Sequence, residues 1–195
     1  EGYISEGIGK DDLGRGLLDL NGDGLPEFYA ANPSVTKTFR NTGTGWEWSN
    51  ASPPVCSDVP AMRLPFPIVS SGGSSRGCRM VDLNGDGLPD FLRGFSTSTG
   101  AHAAPGSQLS IHINNGNYAN STPGSMFTPM TNGVNQNWIT PYTLDWDGTG
   151  VDNFGNELAD INGDGLTDLI FASTYVNKAY ANTGTNFSEN SAYAF

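Results

Sequence analysis

The chain repeats one nine-residue pattern of oxygen-bearing side chains three times. The copies read DLNGDGLPE from Asp19, DLNGDGLPD from Asp82 and DINGDGLTD from Asp160. Each copy places acidic or amide groups at positions one, three, five and nine. Carboxylates held this close repel one another unless a positive charge lies among them. The pattern therefore predicts a loop that wraps one cation.

The donor atoms indicate which cation. Oxygen ligands suit hard ions, and Ca²⁺ accepts six to eight of them in flexible geometry, whereas Mg²⁺ needs a stricter octahedron and keeps its waters. The loops contain no thiol and no imidazole, which disfavours zinc and copper. We therefore expect Ca²⁺ as the cofactor, with about three ions per chain at one ion per loop.

The flanks of each loop predict β-strands. A short apolar run comes before the loop, as in GRGLLDL, and a strand-like run follows it, as in EFYAAN. A further segment then ends in a Gly turn and an aromatic residue, as in KTFRNTGTGW. Such short strands joined by turn residues indicate an all-β fold of three repeated antiparallel units. In each unit the aromatic residue is expected to open the fourth strand.

The EF-hand is the obvious helical alternative, because DxNGDG matches its first six positions. An EF-hand also needs a bidentate Glu at position twelve. That position holds Ala30, Arg93 and Phe171 in the three copies. The missing Glu and the strand-like flanks together exclude the EF-hand.

The loops with their flanks resemble the FG-GAP/VCBS repeat, the calcium-loop repeat of integrin α-chain β-propellers and many bacterial surface proteins. The longer form SRGCRMVDLNGDGLPDFL also resembles repeats of RHS-type secreted proteins. The resemblance implies β-propeller-like blades in three units, as part of a larger propeller or assembly, since propellers typically have at least four blades. It implies calcium loops between the first two strands of each blade, with the position-seven leucines supplying carbonyl oxygens.

The metal ligands expected on this basis occupy positions one, three, five, seven and nine of each loop. They are Asp19, Asn21, Asp23, Leu25 and Glu27; Asp82, Asn84, Asp86, Leu88 and Asp90; and Asp160, Asn162, Asp164, Leu166 and Asp168. Glu27 departs from the Asp that the pattern has at position nine. A fourth stretch, DWDGTGVDN, keeps Asp145, Asp147 and Asn153 but has Thr149 at position five. Whether that stretch binds metal stays open.

The spacing between loops exceeds one compact blade, so insertions are expected. The predicted divisions are 1–10 as the fourth strand of a preceding blade, 11–55 as unit one, 56–74 as an insertion, 75–120 as unit two, 121–154 as an insertion and 155–195 as unit three. An unpaired strand at 1–10 would seek other blade strands. The expected partners are blades of a longer parent chain or neighbouring copies joined head to tail.

Composition narrows the class of protein. The net charge of −11 disfavours nucleic acid and anionic membrane surfaces as partners. No apolar run approaches the length of a membrane span. The sequence begins EGYIS, without an initiator Met, so we expect a processed product or a piece of a longer protein.

The two cysteines, Cys56 and Cys78, suggest one disulfide in an exported protein, with two buried thiols as the alternative. Sequons at Asn50, Asn120 and Asn186 are glycosylation sites only in a secreted eukaryotic protein. His102 and His112, the only histidines, have no nucleophile motif beside them, so a surface or packing role is expected. The four tryptophans can pack between blades or stack on sugars. They are Trp46, Trp48, Trp138 and Trp146.

The function expected from these observations is an extracellular, calcium-binding, non-catalytic scaffold for adhesion or assembly, with protein or glycan ligands. Two alternatives remain. One is a lectin that holds sugars with Trp and Asn side chains. The other is the shell or propeller segment of a large RHS-type toxin or surface protein.

Overall fold

A computed structural model describes residues 14–47, 57–70, 76–96, 108–119, 122–130, 144–146, 156–172 and 177–193. These residues form three β-sheets and two short 3-10 turns, and they contain no α-helix. The expected all-β class is confirmed. We call the three sheets, with their loops, the first, second and third units.

The first unit is a three-stranded antiparallel meander in the order β1-β2-β3. Its strands are β1 (Arg15–Leu18), β2 (Glu27–Asn32) and β3 (Val35–Phe39). The first acidic loop is the β1–β2 connection. In the register, Leu18 lies opposite Glu27 and Leu17 opposite Phe28, so the loop closes a tight hairpin.

The second unit has four antiparallel strands in the order β4-β5-β6-β7, with a short parallel strand beside β5. They are β4 (Cys78–Val81), β5 (Asp90–Ser96), β6 (Gln108–Asn114), β7 (Phe127–Pro129) and β8 (Asp145–Trp146). β8 pairs with the end of β5 at Phe95 and Ser96. The second acidic loop joins β4 to β5.

The third unit has four antiparallel strands in the order β12-β11-β10-β9. They are β9 (Asn156–Ala159), β10 (Asp168–Ala172), β11 (Asn177–Asn182) and β12 (Phe187–Glu189). The third acidic loop joins β9 to β10. The 3-10 turns cover Pro60–Met62 and Ser191–Tyr193.

The fourth strand follows the expected pattern in the third unit, where Phe187 opens β12. In the second unit the expectation for Tyr118 is wrong, because the fourth strand is β7, which lies inside the segment 121–154 expected to be an insertion. In the first unit Trp46 forms an isolated bridge with Asn41, and the residues directly after Glu47 lie outside the described part of the chain. Residues 1–10, expected as a lone strand, lie outside the described residues.

The apolar core lies between neighbouring units. One buried cluster joins Leu20 and Tyr29 of the first unit to Phe91 and Phe127 of the second. Another joins Leu83 and Leu92 of the second unit to Leu169 and Phe171 of the third. Each sheet therefore contributes to the core by packing on the next sheet, as repeat proteins do.

Candidate metal sites

The first Asp of each loop anchors the loop backbone. The N–H groups of Gly22 and Gly24 donate to the two carboxylate oxygens of Asp19, both at 2.8 Å. Asp82 and Asp160 accept the same pair of bonds in the other loops. These N–H groups, led by that of Gly165, hold the pKa of Asp160 below its usual value. The position-one carboxylate of each loop is thus fixed in place by backbone hydrogen bonds.

Glycine is required at positions four and six because both residues adopt positive φ. The values are 76° at Gly22 and 84° at Gly24, and the other two loops are similar. Residues with a Cβ rarely adopt this backbone conformation. Two such residues curl the chain so that successive N–H groups point at the position-one carboxylate.

The side chains at positions three and five point back at the loop. Asn21 Oδ1 accepts the N–H of Asp23 at 2.9 Å, and Asp23 Oδ1 accepts the N–H of Leu25 at 2.9 Å. The Asn21 amide nitrogen also donates to Asp23 Oδ2 at 3.1 Å. The other loops repeat these bonds. Each loop is therefore a chain of small turns that keeps its oxygens on one exposed side.

The position-nine carboxylates differ from the rest because they are fully buried. Glu27, Asp90 and Asp168 have no exposed surface. Each accepts the N–H of the position-two residue of its own loop, at 2.9 Å from Leu20, 2.9 Å from Leu83 and 3.0 Å from Ile161. The second oxygen of Asp90 accepts the N–H of Asn114 at 2.8 Å, and Asp168 accepts that of Asn182 at 2.7 Å.

Burial changes the acidity of these groups. Desolvation raises the pKa of Glu27 to about 7, against the opposing effect of the backbone bonds from Leu20 and Asn41. Desolvation likewise raises the pKa of Asp90 to about 7, although the N–H groups of Asn114 and Leu83 oppose it. The negative charge of nearby loop residues adds to both shifts. A cation in the loop would offset both causes and favour the ionised carboxylate.

The oxygen donors of the loops are of the kind that a calcium ion prefers, but their carboxylates are not grouped closely enough to form a complete site. Within the described ranges, no three acidic, histidine or cysteine side chains are grouped so that they could hold one metal ion. Each loop has only three carboxylates, and the central one already accepts hydrogen bonds from its own loop. The carboxylates of a loop would hold a bound Ca²⁺ together with the amide oxygen of Asn21 or its counterpart.

The first loop also has a competing cation. Arg40 Nη2 lies 3.9 Å from Asp23 Oδ2, and Arg40 Nη1 lies 3.7 Å from Glu47. The residues that correspond to Arg40 in the other two units are Ile113 and Ala181. The position-five carboxylate of the first loop is thus partly neutralised by the protein itself.

Three asparagines outside the loops complete the arrangement, and sequence reasoning missed them. They stand at the end of the third strand of each unit and are Asn41, Asn114 and Asn182. Asn114 donates its N–H to Asp90 and its amide to Pro89 O at 3.2 Å. The same amide donates to Leu20 O in the preceding unit at 2.7 Å. The signal was available, because the Asn-x-Gly of each Gly turn recurs at the same place.

Asn182 repeats these contacts one unit further along. Its amide donates to Thr167 O at 3.1 Å in its own unit and to Leu83 O at 2.7 Å in the second unit. Each of these asparagines therefore links its own acidic loop to the loop before it.

The position-seven leucines, expected to offer carbonyl oxygens, also pack between units. A Cβ placed on Gly22 would lie 2.8 Å from Leu88 Cδ2, and one on Gly85 would lie 3.3 Å from Leu166 Cδ2. Leu88 and Leu166 therefore each cover the position-four glycine of the preceding loop.

A model of the FG-GAP-like repeat matches residues 19–93. Residues 19–93 are thus similar to an FG-GAP-like repeat. The resemblance drawn from the loops is confirmed there, and the match covers the first two acidic loops. FG-GAP repeats are β-propeller blades, generally non-catalytic scaffolds and typically extracellular. No curated protein gives a significant match to the chain. The described part of the chain has no helix long and apolar enough to cross a membrane.

The remaining candidate residues contact neighbours that suggest packing. His112 is buried edge-on against Phe66 and Phe91, with ring centroids 5.4 Å and 6.2 Å away, and burial lowers its pKa. Trp46 lies edge-on to Phe28 at 6.3 Å. Asn186 lies in a turn, where its Oδ1 accepts the hydroxyl of Thr183.

Several sequence-based expectations lie outside the described residues. These are Cys56, Asn50, Asn120, His102, Trp48, Trp138, Asp147, Thr149 and Asn153. Asp145 and Trp146 are described as strand β8 only.

The disulfide stays a prediction. Cys78 is buried at the start of β4, with its Sγ 3.9 Å from Pro67 O. A bridge to Cys56 would close a separation of 22 residues, which is worth about 3 kcal/mol in the chain-entropy model. We expect intact mass to be unchanged by alkylation of the denatured chain without reductant, and to rise by two alkyl groups after reduction. Two alkyl groups before reduction would contradict the bridge.

Proposed function

We propose that the chain is an extracellular calcium-binding scaffold for adhesion or assembly, with one Ca²⁺ in each acidic loop. The observation that supports it is the full burial of Glu27, Asp90 and Asp168 beside loops that carry two further carboxylates each. A buried carboxylate is costly unless it is protonated or close to a positive charge. Ca²⁺ would supply that charge to all three loops.

An external location fits this chemistry. Extracellular modules often bind Ca²⁺ at about 10⁻⁴–10⁻³ M, so their loops fill where calcium is abundant. The assembly role is supported by the way the units pack, because each unit buries its apolar face against the next one. A scaffold made of such units gains surface by adding units.

Calorimetric titration of single-loop variants tests the proposal. Asp86→Ala or Asp164→Ala should weaken binding at its own loop at least about tenfold, because the central carboxylate is lost. Asp23→Ala should weaken binding less, since Glu27 departs from the pattern and Arg40 already neutralises part of the Asp23 charge.

The matched control is Glu157→Ala, which removes an exposed carboxylate from β9 outside the loops. Its calcium isotherm should overlay that of the parent chain. The ranking is wrong if Asp23→Ala weakens binding most. The proposal itself is wrong if the unaltered chain releases or absorbs no heat and binds no ⁴⁵Ca²⁺ at millimolar calcium.

A further inference from the structure

The two outer faces of the three-unit array carry the same kinds of residue that are buried at the inner junctions. The leading face belongs to the first unit and consists of Leu17, Leu25, Phe28 and Asn41. The trailing face belongs to the third unit and consists of Ile161, Gly163, Ile170 and Ala172. The inner junctions are the contacts between the first and second units and between the second and third units. They show what each kind of face packs against.

The counterparts of Phe28 show how a leading face is used. Phe91 and Leu169 occupy the same position in the second and third units, directly after the acidic loop. Both have no exposed surface, because Phe91 packs on the first unit and Leu169 on the second. Phe28 remains half-buried: the rings of Phe39 and Trp46 of its own unit lie beside it at 6.1 Å and 6.3 Å, but no other unit among the described residues packs on it.

Leu17 makes the contrast sharper. It lies directly opposite Phe28 in the β1–β2 register and is 61% exposed. Its counterparts Met80 and Leu158 pack against the two buried clusters. A large aliphatic side chain left this exposed marks a surface that gains free energy when it is covered.

The trailing face shows the complementary pattern. Leu20 and Leu83, at position two of the first and second loops, are fully buried by the unit that follows them, whereas Ile161 is half-exposed. Ala31 has no exposed surface, whereas Ala172, its counterpart in the third unit, is exposed. The third unit therefore carries the residues that the first two units bury against a following unit, but no described unit follows it.

The contacts between neighbouring loops also run from each unit to the one before it. Leu88 and Leu166 cover Gly22 and Gly85, but no described atom lies within 4 Å of a Cβ placed on Gly163. Leu25 is the first leucine of the series and has no earlier loop among the described residues. A leucine like Leu25 would fit over a glycine like Gly163.

The amide links match as well. Asn114 and Asn182 each donate to a position-two carbonyl in the unit before them. Asn41 donates its amide to Pro26 O in its own loop, at 3.2 Å. The Asn41 amide and the Ile161 carbonyl are thus the donor and the acceptor of the equivalent hydrogen bond at a further contact between units.

We propose that the trailing face of one chain docks onto the leading face of a second copy, head to tail. Ile161 and Ile170 of one copy pack there against Leu17 and Phe28 of the next. Leu25 covers Gly163, and the Asn41 amide donates to Ile161 O. This contact gives a ring if the rotation closes and a fibre if it does not. The inference deepens the assembly part of the proposed function and rests on it, but it does not rest on calcium binding.

Sedimentation of the chain in millimolar calcium, over a wide range of protein concentration, tests the contact. The unaltered chain should at least double its weight-average mass as concentration rises. Leu17→Glu blocks the leading face and Ile170→Glu blocks the trailing face, so each variant alone should stay at the mass of one chain. Ala119→Glu, which adds the same charge at an exposed position of the second unit, should assemble like the parent.

Mixing the two blocked variants gives the decisive result. The Leu17→Glu chain keeps its trailing face and the Ile170→Glu chain keeps its leading face, so the mixture should form a one-to-one pair that grows no further. Circular dichroism melting checks that both variants fold. If either does not, Val35→Glu and Ala172→Glu replace them, since both positions are exposed on the same two sides of the array.

The inference is overturned if the folded parent chain keeps the mass of one chain at every concentration, or if the mixed variants fail to pair. Calcium binding, measured separately by calorimetry, distinguishes this failure from failure of the proposed function. A chain that binds calcium and stays single contradicts the docking alone. A chain that assembles through these faces without binding calcium contradicts the calcium proposal alone.

Discussion

Removing calcium at about pH 8 should lower the melting temperature of this chain by about 10 °C. At a calcium concentration tenfold above Kd, one independent site adds about 1.4 kcal/mol, so three sites add about 4 kcal/mol. For a chain of this length, 1 kcal/mol corresponds to a shift of about 2–4 °C. Chelation leaves Glu27 and Asp90 ionised, buried and close to other carboxylates, and the folded state bears that cost.

The size of the calcium effect should depend on pH, with a sign fixed by the buried carboxylates. Their folded pKa values, about 7 for Glu27 and Asp90, lie above the ordinary values of 4.5 and 3.8. A group of this kind stabilises the folded state by binding a proton, and that contribution disappears as pH rises through the folded pKa. In chelator the chain should therefore melt higher at about pH 5 than at about pH 8, by about 2 kcal/mol for each group.

Calcium should reverse this order, because a bound ion would favour the deprotonated carboxylates and protons would compete with it. Differential scanning calorimetry at the two pH values, with calcium or with excess chelator, measures all four states. Asp90→Asn is the control, since it removes one titrating carboxylate and should reduce the pH dependence in chelator. An identical melting curve with and without chelator at about pH 8 would rule out the structural role of calcium.

The sequence predicts the loops well because their geometry is local. Asp19 bonds to Gly22 and Gly24, and Asp23 to Leu25, all within five residues. The same is true of the hairpin strands β1 and β2, whose register follows directly from the loop. A repeated local pattern therefore specifies the strand–loop–strand part of each unit.

The missed features depend on contacts between distant residues. Asn114 and Leu20 are 94 residues apart, and Asn182 and Leu83 are 99 apart, so no short motif contains both partners. The fourth strand of the second unit was missed for a related reason. The segment after Tyr118 contains several aromatic and β-branched residues. The strand begins at Phe127, which is buried with Met126 in the cluster between the first two units.

The position-nine residues show where a local interpretation is incomplete. The pattern predicts Glu27, Asp90 and Asp168 as metal ligands, and nothing in the pattern shows that they are buried. In the structure each one also joins the loop to the third strand of its unit, through the N–H of Asn41, Asn114 or Asn182. The proposed metal site and the structural junction would share one carboxylate, so loss of either should weaken the other.

Asn114→Ala should destabilise the chain by about 3 kcal/mol, and Asn41→Ala by less than about 1 kcal/mol. Asn114 is fully buried, and its side chain donates to Leu20 O and Pro89 O and accepts the N–H of Gly116. Truncation leaves these groups without their partner, and an unsatisfied buried group costs about 1–3 kcal/mol. The main-chain bond from Asn114 to Asp90 is unaffected, so the change isolates the amide.

Asn41 is the matched control because it holds the same place in the first unit without a link to a preceding unit. Its amide makes one bond, to Pro26 O, and its oxygen accepts the N–H of Gly43. Both bonds lie near solvent, where water replaces a lost partner at little cost.

Urea unfolding in millimolar calcium, at a protein concentration too low for chains to associate, compares the two variants with the parent. Asn182→Ala should behave like Asn114→Ala, because it removes the same link between the second and third units. If Asn41→Ala lowers the free energy of unfolding as much as the other two changes do, the hydrogen bond between units is not the source of the stability. The apolar clusters alone would then hold the units together.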